Sequence, residues 1–162
     1  MMLYEGREIR IQLWDLAGQD HLGGISRLYC RDSHGVIIVS DATKPDNIQR
    51  AVEWKTMVDD QTRLPDGREI PTVVCLNKTD LIEDTKKHSS NELQSFANQK
   101  GFLSIYYTSN KTGENVNQAL DTLIKELISY KLPDTSSSVE NKVIKIANDI
   151  STRSSNKKKK CC

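Results

Sequence analysis

The sequence predicts an α/β domain, with a mostly parallel sheet and helices on both of its faces. Three observations predict this. Short continuous apolar runs, GVIIVS at 35–40 and TVVCL at 72–76, read as strands buried on both sides, as in parallel sheets. After each comes a longer stretch with apolar residues at helical spacing. The two kinds alternate along the chain, and strand–helix–strand units close as right-handed crossovers.

Met1 to Tyr4 is short and apolar, Glu5-Gly6-Arg7 has turn chemistry, and Ile9, Ile11 and Leu13 alternate with polar residues up to Asp15. This predicts a hairpin whose second strand runs from Ile9 to Leu13. Residues 21–34 are mixed and predict a loop with a short helix. The run GVIIVS is a buried strand ending at Asp41. Asp46 stands where it can cap a helix reaching about Thr62, with Ile48, Ala51, Val52 and Val58 toward the core. Leu64-Pro65-Asp66-Gly67 is a turn, and TVVCL is a second buried strand ending at Asn77. Ser90 is expected to cap a helix carrying Leu93, Phe96 and Ala97 and closed by Gly101. Leu103 to Tyr107 is a further strand, ending at Thr108. Glu114 to about Lys131 is a helix with Val116, Ala119, Leu120, Leu123, Ile124 and Leu127 on one side, and Pro133 stops it. The domain is thus expected over 1–131. Residues 132–162, rich in Asp, Ser, Thr, Asn and Lys, are expected to form a flexible tail. Val139, Val143, Ile146 and Ile150 make one stripe in it, too short to hold a helix alone.

A chain of 162 residues fits one domain, and 36% hydrophobic with 28% charged residues leaves enough apolar surface for a core. No apolar run approaches a membrane span, and no basic-then-apolar leader pattern opens the chain, so a cytosolic location is expected. Of the four cysteines, Cys161 and Cys162 are adjacent, whereas Cys30 and Cys75 lie far apart and are expected to be reduced. The net charge of +1 is unevenly spread: Arg153 and Lys157 to Lys160 add five positive charges at the end, without an acid, and leave −4 on the rest. That division argues against general nucleic-acid binding and for a tail that meets an anionic surface.

In parallel α/β sheets ligands gather at the carboxyl ends of the strands. Asp15, Asn77 and the stretch Thr108 to Lys111 fall there. The segment IRIQLWDLAGQD places Asp15 where it can hold Mg²⁺, directly or through a water. Gly18 lets a backbone N–H approach a phosphate closely, and Gln19 can orient an attacking water. In Asn77-Lys78-Thr79-Asp80, a carboxylate at Asp80 can accept two parallel hydrogen bonds from the ring N–H and exocyclic amine of guanine; adenine offers no such pair. The Lys78 stem can lie along the base face, and the Asn77 amide can tie the loop to its neighbours. In Thr108-Ser109-Asn110-Lys111-Thr112-Gly113, backbone N–H groups can meet the base carbonyl, and Lys111 can cover the other face of the ring. Each stretch alone is equally a turn, a helix start or a capping loop. The three together, in this order and each closing a strand, specify far more.

With these residues the chain resembles the Ras-like small GTPases, P-loop-type nucleotide triphosphatases, and most closely the Rab branch, over about residues 1–131. The resemblance implies GTP and GDP as ligands, Mg²⁺ as their ion and GTP hydrolysis as the activity. It implies that Asp15 and Gly18 meet Mg²⁺ and the γ-phosphate, that Gln19 positions water, and that Asn77, Lys78 and Asp80 read guanine, helped by Ser109, Asn110 and Lys111. Trp14 and Tyr29 match two of the three aromatic residues of the family's effector surface. Leu16 where most Rabs have Thr, Trp54-Lys55, and the turn at 64–67 followed by Ile70-Pro71 resemble the Rabs that serve lysosome-related organelles and endolysosomal traffic. The end, KKKKCC, suits double lipidation, because one chain anchors weakly and two chains beside basic charge anchor stably. It is no C-a-a-X box. The resemblance implies geranylgeranyl groups on Cys161 and Cys162. It also implies an exchange factor, a GTPase-activating protein, a GDP-dissociation inhibitor or escort protein, and effectors as partners. The expected location is the cytoplasmic face of endosomal, lysosome-related or other vesicle membranes, with a cytosolic pool.

The sequence departs from that pattern. It contains no G-x-x-x-x-G-K-[ST]. In the family that loop, a first strand and a first helix precede the hairpin. The expectation is therefore an N-terminally truncated domain that lacks the strand between the hairpin and GVIIVS and starts at an internal Met of a longer GTPase, the alternative being a true short product. Such a chain alone is expected to fold poorly and to bind GTP weakly or not at all. Asn110 stands where the family usually has Ala, which is harmless if only its backbone N–H meets the base. Asp20-His21-Leu22 replaces a Glu-Arg-aromatic run. Two functions follow: a Rab-type GTP-hydrolysing switch in vesicle traffic or, as the alternative, a nucleotide-free, lipid-anchored interaction module using the Trp14/Tyr29 surface. A dinucleotide-binding domain would need G-x-G-x-x-G and an anchoring acid, which are missing.

Overall fold

The computed structural model of the protein describes residues 2–4, 7–16 and 33–130. Gly18, Gln19, Tyr29, Cys30, the short helix expected within 21–34 and the tail with Cys161 and Cys162 lie outside the described residues, apart from 33 and 34, which have no regular structure.

Three strands, β3 (Val36–Asp41), β4 (Thr72–Asn77) and β5 (Ser104–Tyr107), form a parallel sheet in the order β3-β4-β5. Successive side chains of a strand point to opposite faces, and β4 uses both. Val74 and Leu76 join Ile38, Ile105 and Phe102 under helices α1 (Asn47–Gln61) and α2 (Ser90–Lys100), which contribute Ala51, Leu93 and Ala97. Val73 and Cys75 face the other way and meet Ala119 and Leu123 of helix α3 (Val116–Ser129). Helices therefore cover both faces, as the alternation of apolar runs and helical stripes predicts. Burial in the second layer pushes the Cys75 thiol up to about 11, so it serves as a neutral packing group.

The sheet's two outer strands differ from its centre. GVIIVS reads as a fully buried strand, yet of its residues only Ile38 is fully buried, and Val39 is 63% exposed. The reason is pairing: among the described residues β3 has β4 as its single partner. The continuous apolar pattern records hydrophobicity and says nothing of how many neighbours a strand finds.

The opening hairpin forms, in a shorter register than expected. β1 (Met2–Tyr4) and β2 (Arg7–Ile9) pair antiparallel, with Met2 opposite Ile9 and Tyr4 opposite Arg7. Arg7, read as a turn residue, is the first residue of the strand. The strand predicted over Ile9 to Leu13 ends at Ile9 because β1 offers three residues and the last is used at that point. Residues 10–16 carry no regular structure, and Leu13 and Trp14 are 75% and 62% exposed.

The helices depart from prediction mainly at their ends. Asp46 precedes α1, but its carboxylate takes the Arg50 guanidinium at 2.5 Å instead of a first-turn N–H. On the buried side of α1 stands Lys55, its ammonium 2.6 Å from Asp59 and 3.1 Å from Glu69. The turn at 64–67 closes with Gly67 N–H donating to the Leu64 carbonyl at 2.8 Å, and Gly67 sits at φ 86°. The cap of α2 is Ser89, one residue before the expected Ser90, in a capping box with Glu92. α3 begins at Val116 and not at Glu114, because Asn115 takes the left-handed φ of 53° and its amide donates to the Tyr107 carbonyl at 2.8 Å. Among the described residues no helix is long and apolar enough to cross a membrane.

Candidate functional site

Parallel pairing brings the carboxyl ends of β3, β4 and β5 side by side. Asp41 lies opposite Asn77, Leu76 lies opposite Tyr107, and Thr108 N–H donates to the Leu76 carbonyl at 2.9 Å. The loops leaving β4 and β5 are thus neighbours although some thirty residues separate them.

Thr79 is their hinge. Fully buried, it donates its N–H to the Thr108 carbonyl at 3.1 Å, while its hydroxyl lies 3.0 Å from both that carbonyl and a Glu114 carboxylate oxygen. The Asn77 side-chain oxygen accepts the Asn110 N–H at 3.1 Å. The buried Ser109 hydroxyl donates to Asp80 Oδ1 at 2.7 Å, and its oxygen accepts the Thr112 N–H at 3.2 Å. Lys111 Nζ stands 3.7 Å from Asp80 Oδ2, too far for a hydrogen bond and close enough for charge attraction. The Ser109 hydroxyl first, and the Lys111 ammonium behind it, hold the Asp80 carboxyl below the usual carboxylate range.

The arrangement suits one kind of ligand edge. An ionised carboxylate has about four lone-pair directions. One is taken by Ser109, so both oxygens keep capacity for parallel N–H donors. Each neighbouring group favours the charged form, and the Asp80 side chain stays 16% exposed beside a Lys111 side chain that is 78% exposed. The Thr108 hydroxyl is buried without a hydrogen-bond partner in the same loop. The Asn110 N–H, placed by sequence against the base carbonyl, is engaged by Asn77 instead.

Six sequence-selected residues, Asn77, Lys78, Asp80, Ser109, Asn110 and Lys111, therefore share one group of loops. Lys78 adopts φ 71° and reaches out of it, its ammonium 2.7 Å from Asp41. Asp15 is exposed and makes no hydrogen bond or ion pair with these residues. Asp41, Thr79 and Glu114 escape a reading by motif. Their importance arises from register and loop packing, and the signal within the sequence is confined to Asp41 closing an apolar run as Asn77 does.

A parallel sheet with helices on both faces, and an ionised Asp80 beside Ser109 and Lys111 in the loops at its carboxyl end, is the arrangement of an α/β domain that gathers ligands at its strand ends. Residues 1–129 match the family model described as Ras family, and the chain belongs to that family of GTP-hydrolysing proteins. Among its relatives is the human Ras-related protein Rab-32, 31% identical over 156 residues, 95% of this chain and 67% of that protein. Another is Rab-32C of Dictyostelium discoideum, 32% identical over 145 residues, 83% of this chain and 63% of that protein. Rat Ras-related protein Rab-7L1 is 32% identical over 130 residues, 80% and 63% of the two chains. The chain thus spans about two thirds of the length of these relatives, and it sits in the Rab branch beside Rab-32 and Rab-7L1.

Proposed function

We propose that the protein works as a Rab-type molecular switch that binds GTP and GDP, hydrolyses GTP and acts in vesicle traffic on endosomal or lysosome-related membranes. The observation that carries this reading is the Asp80 carboxylate, held ionised by Ser109 and flanked by Lys111, in two loops tied together by Thr79 and Asn77. Asp80 accepts the N–H pair of guanine. Asn77 and Ser109 keep the two loops in register, and Lys78 and Lys111 wall the base. Asp15 is the carboxylate offered to Mg²⁺, with Gly18 and Gln19 at the terminal phosphate. Mg²⁺ keeps most of its ligands as water and phosphate oxygens and needs one or two carboxylates from the protein. Order and disorder of the loops at the γ-phosphate then distinguish the GTP from the GDP state. Geranylgeranyl groups on Cys161 and Cys162 with the four lysines before them hold the membrane; an exchange factor, a GTPase-activating protein, a GDP-dissociation inhibitor or escort protein and effectors work the cycle.

A second reading is favoured by the adjacent exposed residues Leu13 and Trp14: a lipid-anchored interaction module that needs no nucleotide. Titrating the chain with fluorescent GDP and ADP separates the two. The switch reading expects GDP to bind more tightly, Asp80→Ala to remove the preference by roughly ten- to a hundredfold, and Gln19→Leu to slow hydrolysis. Because the sequence contains no G-x-x-x-x-G-K-[ST], both nucleotides are expected to bind weakly, and the readout is the ratio of GDP to ADP affinity. Equal binding of both by the unaltered chain, with Gln19→Leu silent, would leave the module.

A further inference from the structure

The Lys78 ammonium, on a half-exposed side chain, is paired away from Asp80. It reaches Asp41 Oδ2 at 2.7 Å, across 37 residues of sequence and one strand spacing of the sheet. Asp41 is ready to receive it. Its other oxygen accepts the Thr43 N–H at 3.0 Å and the Thr43 hydroxyl at 2.7 Å, and the backbone beside it is pinned by Ala42 N–H donating to the Asn77 carbonyl at 2.8 Å. The Asn47 amide holds the Ala42 carbonyl at 3.2 Å. Lys78 is fixed from its other end. Its φ of 71° is left-handed, a conformation that non-glycine residues avoid unless the surroundings impose it, and its carbonyl accepts the Leu81 N–H at 3.0 Å.

With both ends fixed, the four methylenes of Lys78 form a bar from the β4 loop to the end of β3. We propose that Asp41 is a positioning residue for guanine binding: by holding the Lys78 ammonium off the site, it presents the lysine stem, and not its charge, as a preformed wall for the base. This rests on the guanine reading above. An exposed ion pair between two mobile side chains contributes little. Here Thr43 holds one carboxylate oxygen and Lys78 the other, so the pair is ordered without a ligand, and preorganisation of that kind appears as affinity. The Lys78 hydrogen bond first, and the Thr43 ones after it, also hold Asp41 ionised well below the usual carboxylate range.

Two measurements on the full chain test this. The first, without nucleotide, follows acylation of Lys78 by a small amine reagent with mass spectrometry, the exposed Lys125 serving as reference. Asp41→Ala and Asp41→Asn are expected to speed Lys78 acylation relative to Lys125, and Asp41→Glu to restore the slow rate. The second titrates fluorescent GDP and ADP. Asp41→Asn and Asp41→Ala are expected to weaken GDP binding roughly three- to tenfold at a temperature where the variants stay folded, to leave ADP unchanged, and to add nothing to Lys78→Met. Unchanged Lys78 acylation in Asp41→Ala, or unchanged GDP affinity in a chain that prefers GDP, overturns the proposal. If the unaltered chain shows no preference for GDP, the guanine reading fails and takes the binding role of Asp41 with it. Faster acylation in Asp41→Ala then still reports the ion pair, so the two failures are told apart.

Discussion

Asp80 shows how one side chain acquires a function from its surroundings. Ser109 donates to it and Lys111 stands behind it, so its pKa in the folded chain lies below the unfolded value of about 3.9. A depressed carboxylate contributes stability that is fully present above the unfolded pKa and is lost as pH falls through the folded one. On the proposed reading, that same ionised form is the one that accepts guanine. The preference for GDP over ADP is therefore expected to stay level from pH 8 down to about pH 4.5 and to fall only in more acidic solution. A titration in which that preference halves near neutral pH would assign the recognition to another group. Asp80, Asn77 and Lys111 were readable in the sequence because their chemistry is carried by residue type and by position after a strand. Asp41 and Thr79 were not, since an aspartate or threonine acquires such a role only from what lies opposite it.

At the scale of elements, the middles of the helices were more legible than their ends. The stripe Leu93, Phe96, Ala97 is a matter of 3.6-residue spacing and survives folding unchanged. The start of α2 is decided by a local contest among Ser89, Ser90 and Glu92. Ser89 wins because its hydroxyl accepts the Glu92 N–H while the Glu92 carboxylate accepts the Ser89 N–H at 2.7 Å. Ser89→Ala should lower stability by about 1 kcal/mol, whereas Ser90→Ala should change it by a few tenths at most; urea unfolding of the two variants measures the difference. The strand after the hairpin turn ended early for the opposite reason. Alternation at Ile9, Ile11 and Leu13 is a real pattern, but a strand lasts only as long as a neighbour pairs with it.

For the molecule as a whole, the β4 strand couples stability to the site. Leu76 is 1% exposed in the layer between α1, α2 and the sheet, and its carbonyl receives the Thr108 N–H that draws the β5 loop alongside Asn77. Leu76→Ala should lower stability by roughly 2 to 5 kcal/mol and weaken GDP binding even at temperatures where the chain stays folded. A variant that melts earlier yet keeps the full GDP preference would show the core and the loops to be independent. The buried Lys55, joined to Asp59 and Glu69, is a second whole-molecule feature. It ties α1 to the loop before β4, and no helical pattern marks a lysine as a core residue.

Read by itself, the sequence determined the alternation of strands and helices, the coverage of both sheet faces and the chemical identity of the two loops that carry Asn77 to Asp80 and Thr108 to Lys111. Those are consequences of interactions between residues a few positions apart. Only the tertiary structure decided that β3 pairs on one side alone among the described residues, that Lys55 is buried, that Ser89 caps α2 and that Lys78 turns to Asp41. Most of these depend on which distant backbone supplies the hydrogen bond or the opposite charge, and that partner is chosen by the packing of the whole sheet.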